Sequence, residues 1–204
     1  MTNRSILKMS PRTEEQLAKL KAQRREQIIK ESLQLFAHKG YFNTSISDIA
    51  TKLKIAKGLL YNYFSSKEEL LNEVLEFSLK EAAEMNIPEH DLNNLSPDLI
   101  FKKVIDGYFE MMKEKKELWR LITSLAIHVS SIPSVHATIS SVYEGLIGDL
   151  EGLFVMIGFE NPKNEAIKLG ALMDGIGIQY LIFGDDYPLE QIKENIISSY
   201  IKPK

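Results

Sequence analysis

Residues 44–64, TSISDIATKLKIAKGLLYNYF, contain two helical segments of about eight residues with a three-residue break between them. Ser45 and Asp48 form the S-x-x-D pattern that caps a helix start, which predicts a helix over 46–53. The second segment runs to about Tyr63. Two short helices joined by a tight turn form a helix-turn-helix, a unit that can place its second helix in a DNA major groove.

The apolar residues of this unit fall on the inner side of each helix. They are Ile46, Ile49, Ala50 and Leu53 in the first helix, Ile55 in the turn, and Leu60 and Phe64 in the second helix. The residues left facing outward are Lys57, Gly58, Leu59, Tyr61 and Asn62. An apolar inner face is expected of any packed helix, so the functional signal is the outward face, which carries no acidic residue.

The charge of the chain is divided unevenly. The 204 residues carry a net charge of −3, but residues 1–67 hold 13 Lys and Arg against 5 Asp and Glu, a net charge of +8. Residues 68–204 hold 12 against 23, a net charge of −11. A basic first third joined to an acidic remainder indicates two functions, one of them with a polyanion. The alternative is a chance gradient of surface charge.

The helical period extends over the rest of the chain, and no stretch alternates at period two. Ser10 or Thr13 caps a first helix that runs to about Lys39, and Ser65 with Glu68 opens a long helix that fades near Met85. Five further helices are predicted over 96–115, 117–130, 134–157, 163–183 and 188–200. We therefore expect an all-α chain of about nine or ten helices.

Several function classes lack their sequence features. The chain has no cysteine, which excludes disulfides and thiol chemistry. We expect no membrane span, because Asp174 and Gln179 interrupt the longest apolar stretch, and no signal peptide, so the chain is interpreted as cytoplasmic. No nucleotide-binding or hydrolase motif occurs and the four histidines show no metal-ligand spacing, which predicts no metal, no cofactor and no enzyme.

A larger set of residues, in register from Ile28 to Leu71, resembles the tetracycline-repressor (TetR) family of bacterial transcription regulators. The residues that carry the resemblance are Gly40-Tyr41, Thr44-Ser45, Asp48-Ile49-Ala50, Lys57-Gly58, Leu60-Tyr61, Tyr63-Phe64, Lys67-Glu68 and Leu70. The resemblance implies an N-terminal tail with the start of the first helix at 1–23, a helix-turn-helix DNA-binding domain at 24–71 and an effector-binding and dimerisation domain at 72–204.

The resemblance also implies a homodimer that binds a partly palindromic double-stranded DNA operator and is released by a small-molecule effector. Thr44, Tyr61 and Lys67 would contact phosphates. Lys57, Gly58, Leu59 and Asn62 would lie nearest the bases, with Tyr63 at the edge.

Two residues depart from the family pattern. Lys54 stands where a turn glycine is usual, at a place that often needs a left-handed backbone. Ala56 replaces the usual Ser or Thr cap of the recognition helix, which gives up about 0.5–2 kcal/mol. Neither change removes a DNA-facing group.

The acidic part has no motif of its own. The resemblance implies a dimer interface made of Lys163–Phe183 and Leu189–Tyr200. An effector pocket among the central helices, largely apolar, would be lined by Phe101, Tyr108, Met112, Trp119, Ile122, His128, Tyr143, Phe154, Met156 and Asp174. Ordinary core packing is the alternative for each of these residues.

Other readings of the whole chain stay open at this stage. They are a helical scaffold or partner-binding protein without DNA affinity, an all-α enzyme, and a transcriptional activator in place of a repressor. The basic N-terminal tail to Lys21, with Arg4, Lys8, Arg12, Lys19 and Lys21, is either a minor-groove arm or a solvated tail.

Overall fold

The computed structural model describes residues 13–83, 95–126 and 131–201. These residues form nine α-helices and one 3-10 turn, with no strand among them, which confirms the all-α prediction. The helices are α1 Glu14–Lys39, α2 Ile46–Leu53, α3 Lys57–Tyr61, α4 Lys67–Ala83, α5 Pro97–Glu114, α6 Lys116–Ala126, α7 Pro133–Ile157, α8 Pro162–Phe183 and α9 Leu189–Tyr200. The basic tail before Thr13, the loop expected around Pro88, the predicted helix ends at Met85 and Ser130, and His128 lie outside the described residues.

Local caps set the starts of the first two helices. The Thr13 hydroxyl accepts from the Gln16 backbone N–H at 3.2 Å while the Gln16 side chain accepts from the Thr13 N–H. The Ser45 hydroxyl accepts from the Asp48 N–H at 3.1 Å, and the Asp48 carboxylate accepts from the Ser45 N–H at 2.7 Å. The predicted cap of α2 by Ser45 and Asp48 is confirmed, and Thr13 is the cap of α1.

The predicted start of α4 is wrong by one residue. The Glu69 N–H donates to the hydroxyl of Ser66, not Ser65, and the Glu69 carboxylate accepts from the Ser65 N–H at 2.6 Å. The sequence Ser65-Ser66-Lys67-Glu68-Glu69 offers the S-x-x-E pattern in two registers, and the fold uses the later one. Helix α3 also ends two residues before the predicted Tyr63.

The turn between α2 and α3 has the expected backbone. Lys54 is left-handed, with φ 55° and ψ 44°, and the Ile55 N–H closes the turn by donating to the Ala50 carbonyl at 3.0 Å. Ala56 caps α3 without a side-chain hydrogen bond. Both departures from the family pattern are therefore accommodated by the backbone.

Two cores hold the helices together. The first joins α1, α2, α3 and α4 to the inner face of α6, where Leu118, Leu121 and Leu125 are buried with Ile28 and Phe36. It continues across the boundary predicted between residues 71 and 72. The second core is shared by α5, α7, α8 and α9. We call α1–α3 the head and α5–α9 the body; α4 connects them.

Helix α8 is more apolar than expected. The segment Pro162–Asp186 is long and apolar enough to cross a membrane by length and composition alone, so the expectation that no stretch has those properties is wrong. Asp174 and Gln179 are too few to lower its hydropathy below that of a span. One side of the helix packs along α7, with Gly170 so close to Ile147 that an added Cβ would lie 3.0 Å from its Cδ1 atom.

Candidate DNA-binding surface and ligand site

Helix α3 has one buried residue between two exposed ones. Leu60 is 1% exposed in the first core, whereas Leu59 and Tyr61 on either side are 37% and 48% exposed. The exposed residues of the helix and its C-cap are Lys57, Gly58, Leu59, Tyr61 and Asn62, here called the recognition surface. All five outward-facing residues predicted from the sequence are thus brought to one surface that has no acidic side chain.

Gly58 has no packing reason to be glycine. Its backbone is not left-handed, and an added Cβ would meet no atom within 4 Å. The missing side chain therefore leaves open space in front of the α3 backbone, on the side that faces away from the protein.

Thr44 and Lys67 hold the turn before α2. Thr44 is buried, and its hydroxyl donates to the Gly40 carbonyl at 2.8 Å. The Lys67 ammonium donates to the carbonyls of Tyr41 and Thr44, both at 3.0 Å, and lies 4.2 Å from the centre of the Tyr41 ring. Burial lowers the pKa of Lys67. This inward role could not be predicted from the sequence, because only the folded turn brings the two carbonyls together.

The remaining DNA-contact candidate, Tyr63, is half-buried beside Phe64. Phe64 is in turn covered by the guanidinium of Arg25, which lies 5.0 Å from its ring centre and forms a 2.6 Å ion pair with Glu73 of α4. Sequence reasoning did not single out Arg25. It ties α1 to α4 and so fixes the base on which α3 rests.

The body brings five of the predicted pocket residues together between α5, α6, α7 and α8. They are Tyr108, Met112, Trp119, Tyr143 and Asp174. The Tyr143 hydroxyl donates to Asp174 Oδ1 at 2.8 Å. The rings of Tyr108 and Trp119 meet edge to face, with centroids 5.5 Å apart. Trp119 and Met112 pack over Gly177, where an added Cβ would lie at ordinary contact distances, 3.4 Å from the indole and 3.5 Å from the Met112 sulfur.

The other predicted pocket residues are placed elsewhere. Phe101 and Phe154 are fully buried and stack with Phe159 and Tyr200 in a separate aromatic cluster. Ile122 packs against the first core, and Met156 is mostly exposed near the end of α7. On α8, Gly170 faces Ile147, Asp174 faces Tyr143 and Gly177 faces Trp119.

Helix α6 connects this cluster to the head. Trp119 is on the side that faces the cluster, while the neighbouring Leu118 is buried in the core shared with α1. Glu117, also on α6, pairs with His38 near the end of α1 at 3.0 Å. Helix α6 thus carries residues that contact both the cluster and the head.

The outer side of α8 is apolar and uncovered in the single chain. Its large exposed side chains are Ile167, Leu172, Ile178, Ile182 and Phe183, the last two 68% and 58% exposed. Gly175 lies on the same side and meets no atom within 4 Å of an added Cβ. By contrast, the exposed residues of α9 are polar.

Comparison with known proteins matches residues 28–74 to the family described as bacterial regulatory proteins, tetR family. The uncharacterized HTH-type transcriptional regulator YerO of Bacillus subtilis is 38% identical over 96 residues, which are 47% of this chain and 33% of that protein. The chain spans about a third or less of the length of the first curated relatives it matches.

Two solved structures share the fold over most of both chains. A TetR-like regulator from Rhodococcus sp. RHA1 has a TM-score of 0.77 at 20% identity and covers 94% of this chain and 96% of its own. A transcriptional regulator from Saccharomonospora viridis, solved in complex with choline, has a TM-score of 0.76 at 19% identity and covers 89% and 96%. Residues 28–74, which match the tetR-family model, contain α2, α3 and the recognition surface.

Proposed function

We propose that the protein is a sequence-specific DNA-binding transcriptional regulator that acts as a homodimer on a palindromic operator and is released by a small-molecule effector. The observation that carries the proposal is the recognition surface, five exposed residues without an acid on a helix that is anchored by Leu60. A DNA-binding role places the protein in the bacterial cytoplasm. It also assigns the chain no catalytic step.

The DNA contacts divide by chemistry. Lys57 and Asn62 present a cation and an amide to base edges, Leu59 presents a methyl-bearing side chain to thymine, and Gly58 allows the backbone to approach. Tyr61 donates its hydroxyl to a phosphate, with Tyr63 at the edge.

Thr44 and Lys67 contribute mainly by holding the turn in front of α2. The Lys67 ammonium has three N–H groups and uses two on the carbonyls of Tyr41 and Thr44, which leaves one to reach a phosphate.

The homodimer forms around the outer side of α8. An exposed stripe of Ile167, Ile178 and Ile182, with Gly175 beside it, is what a close helix pair between two copies buries. Helix α9 flanks the stripe and supplies a polar rim. Two copies related by a two-fold axis carry two recognition surfaces, which is the reason for a palindromic site.

The effector acts through α6. A ligand among Tyr108, Trp119 and Tyr143 that favours a shifted Trp119 also shifts Leu118 and the Glu117–His38 pair at α1. The two heads then take a spacing that no longer matches the operator. The shift is limited by the difference in ligand affinity between the two states.

Selection from random duplex DNA tests the regulator directly. We expect enrichment of a two-fold symmetric site. Gly58→Asp adds a negative charge in open space near the start of α3, where it does not weaken the helix, and should abolish the enrichment. Gly148→Asp, at an equally open glycine on α7, is the matched control and should keep it. No enriched sequence with the wild-type protein would support a helical scaffold without DNA affinity.

A further inference from the structure

We propose that the body binds an organic cation between Asp174 and the rings of Tyr108, Trp119 and Tyr143, here called the Asp174 site. The inference rests on the proposed function in one respect, since it assigns the chemical class of the effector. Binding itself is independent of DNA.

The carboxylate of Asp174 is the first reason. It is half-buried on α8, and its one hydrogen bond in the described part of the chain comes from the Tyr143 hydroxyl at 2.8 Å. Burial and the Tyr143 hydroxyl are the influences on this carboxylate, and no Lys, Arg or His of the described residues forms an ion pair with it. Burial raises the pKa of Asp174, and a desolvated carboxylate that lacks a cationic partner is costly. A positive ligand supplies that partner.

The surrounding rings are the second reason. Tyr108 and Trp119 meet at 5.5 Å and 73°, and Tyr143 is bonded to the carboxylate. Burial raises the pKa of Tyr108, and the charge of the nearby Asp174 raises it further. Aromatic faces around one acidic group attract alkylammonium ions through cation–π contacts as well as through charge.

The alternatives fit less well. A purely apolar ligand would cover the carboxylate without pairing it, and an anion would be repelled by it. Trp119 also keeps its indole Nε1 buried without a hydrogen-bond partner among the described residues. The sequence predicted a largely apolar effector; the folded site adds a requirement for positive charge.

The position of Trp119 makes the site directly measurable, because it is the one tryptophan of the 204-residue sequence. The experiment is a fluorescence titration of the full chain without DNA. Two cations serve as probes, (3-hydroxypropyl)trimethylammonium and tetraethylammonium. The neutral carbon isostere of the first, 4,4-dimethylpentan-1-ol, has the same shape without the charge.

We expect saturable changes in Trp119 emission with at least one cation and affinity at least about tenfold weaker for the neutral isostere. Asp174→Asn should weaken cation binding by about tenfold or more, and Tyr143→Phe by a smaller factor. Asp149→Asn, which removes an exposed carboxylate on α7, should change it little. Circular dichroism checks that each variant is folded.

Failure of both cations to bind, equal affinity for the neutral isostere, or unchanged binding in Asp174→Asn would each overturn the proposal. A protein that fails these tests but still selects a symmetric DNA site keeps the proposed regulator function. A protein that binds the cations but selects no DNA keeps the Asp174 site and loses the regulator.

Discussion

The recognition surface and the Asp174 site are built in opposite ways. On α3, packing and function are assigned to different residues: Leu60 is buried, and its neighbours Leu59 and Tyr61 are exposed. In the body, Trp119 and Asp174 are held by the same contacts that a ligand would use. Exposed residues of a short helix on a rigid base can thus be substituted without changing the fold. Residues of a site inside a helical bundle also pack the bundle, so substituting them changes both the site and its packing.

The largest expected effect is on stability, and it distinguishes aromatic residues that pack the core of the body from those that form the dimer interface. Phe154→Ala removes a fully buried ring from the second core and should lower the free energy of unfolding by about 3–5 kcal/mol. Phe183→Ala removes an exposed ring at the end of α8 and should leave chain stability nearly unchanged while weakening the dimer. Urea denaturation and analytical ultracentrifugation measure the two quantities. Equal loss of stability in both variants would contradict the assignment.

In the head, the buried and the exposed residue to be compared, Leu60 and Leu59, are consecutive in the chain. Leu60→Ala should cost about 2–5 kcal/mol of unfolding free energy and abolish DNA binding, because it removes the anchor of α3. Leu59→Ala should leave the denaturation midpoint nearly unchanged and still reduce affinity for the selected DNA. A Leu59 variant that binds DNA as the wild type does would remove Leu59 from the recognition surface.

Two lysines have different proposed roles: Lys67 holds the turn before α2, and Lys57 contacts DNA. Lys67→Met leaves the carbonyls of Tyr41 and Thr44 without their donor, and should lower stability by about 1–3 kcal/mol. Lys57→Met should leave stability unchanged and make the dependence of log affinity on log salt shallower by about 1. Thermal unfolding and DNA titrations at several salt concentrations separate the two. A destabilised Lys57 variant would refute its exposed placement.

The smallest effect concerns the cap of α2. The Ser45 hydroxyl, the Ser45 N–H and then Lys39 hold the pKa of Asp48 well below its usual range. Because the folded-state pKa is the lower one, the stability from this carboxylate is fully present above about pH 4 and is lost as the pH falls further. Asp48→Asn should therefore flatten the change in urea midpoint between pH 5 and pH 3, whereas Asp149→Asn should not. Parallel profiles for all three proteins would exclude this role of Asp48.

The head could be predicted from the sequence because its determinants are local. Capping boxes, the left-handed Lys54 and the outward residues of α3 each depend on neighbours a few positions away. The start of α4 was missed because two registers of one pattern overlap. The hydrogen bonds by which Lys67 holds the turn could not be predicted, because the two carbonyls that accept them lie 23 and 26 residues earlier in the chain.

The body could be predicted only as a set of helices. Aromatic residues at helical spacing do not reveal which of them meet, so Ile122 and Met156 were grouped with residues from which the fold separates them. Tyr143 and Asp174 lie 31 residues apart on different helices, and only packing of α7 on α8 joins them. The requirement for a positively charged ligand depends on that contact, because it places the Asp174 carboxylate among the aromatic rings.

The claim that α3 reads the DNA sequence is tested most directly by repeating the selection from random duplexes with Asn62→Ala beside the wild type. The two-fold symmetry and half-site spacing should persist, because they depend on the dimer, while the preferred base should change at the same position in both half-sites. An identical enriched sequence for the two proteins would contradict base reading by Asn62, and loss of symmetry alone would contradict the dimer.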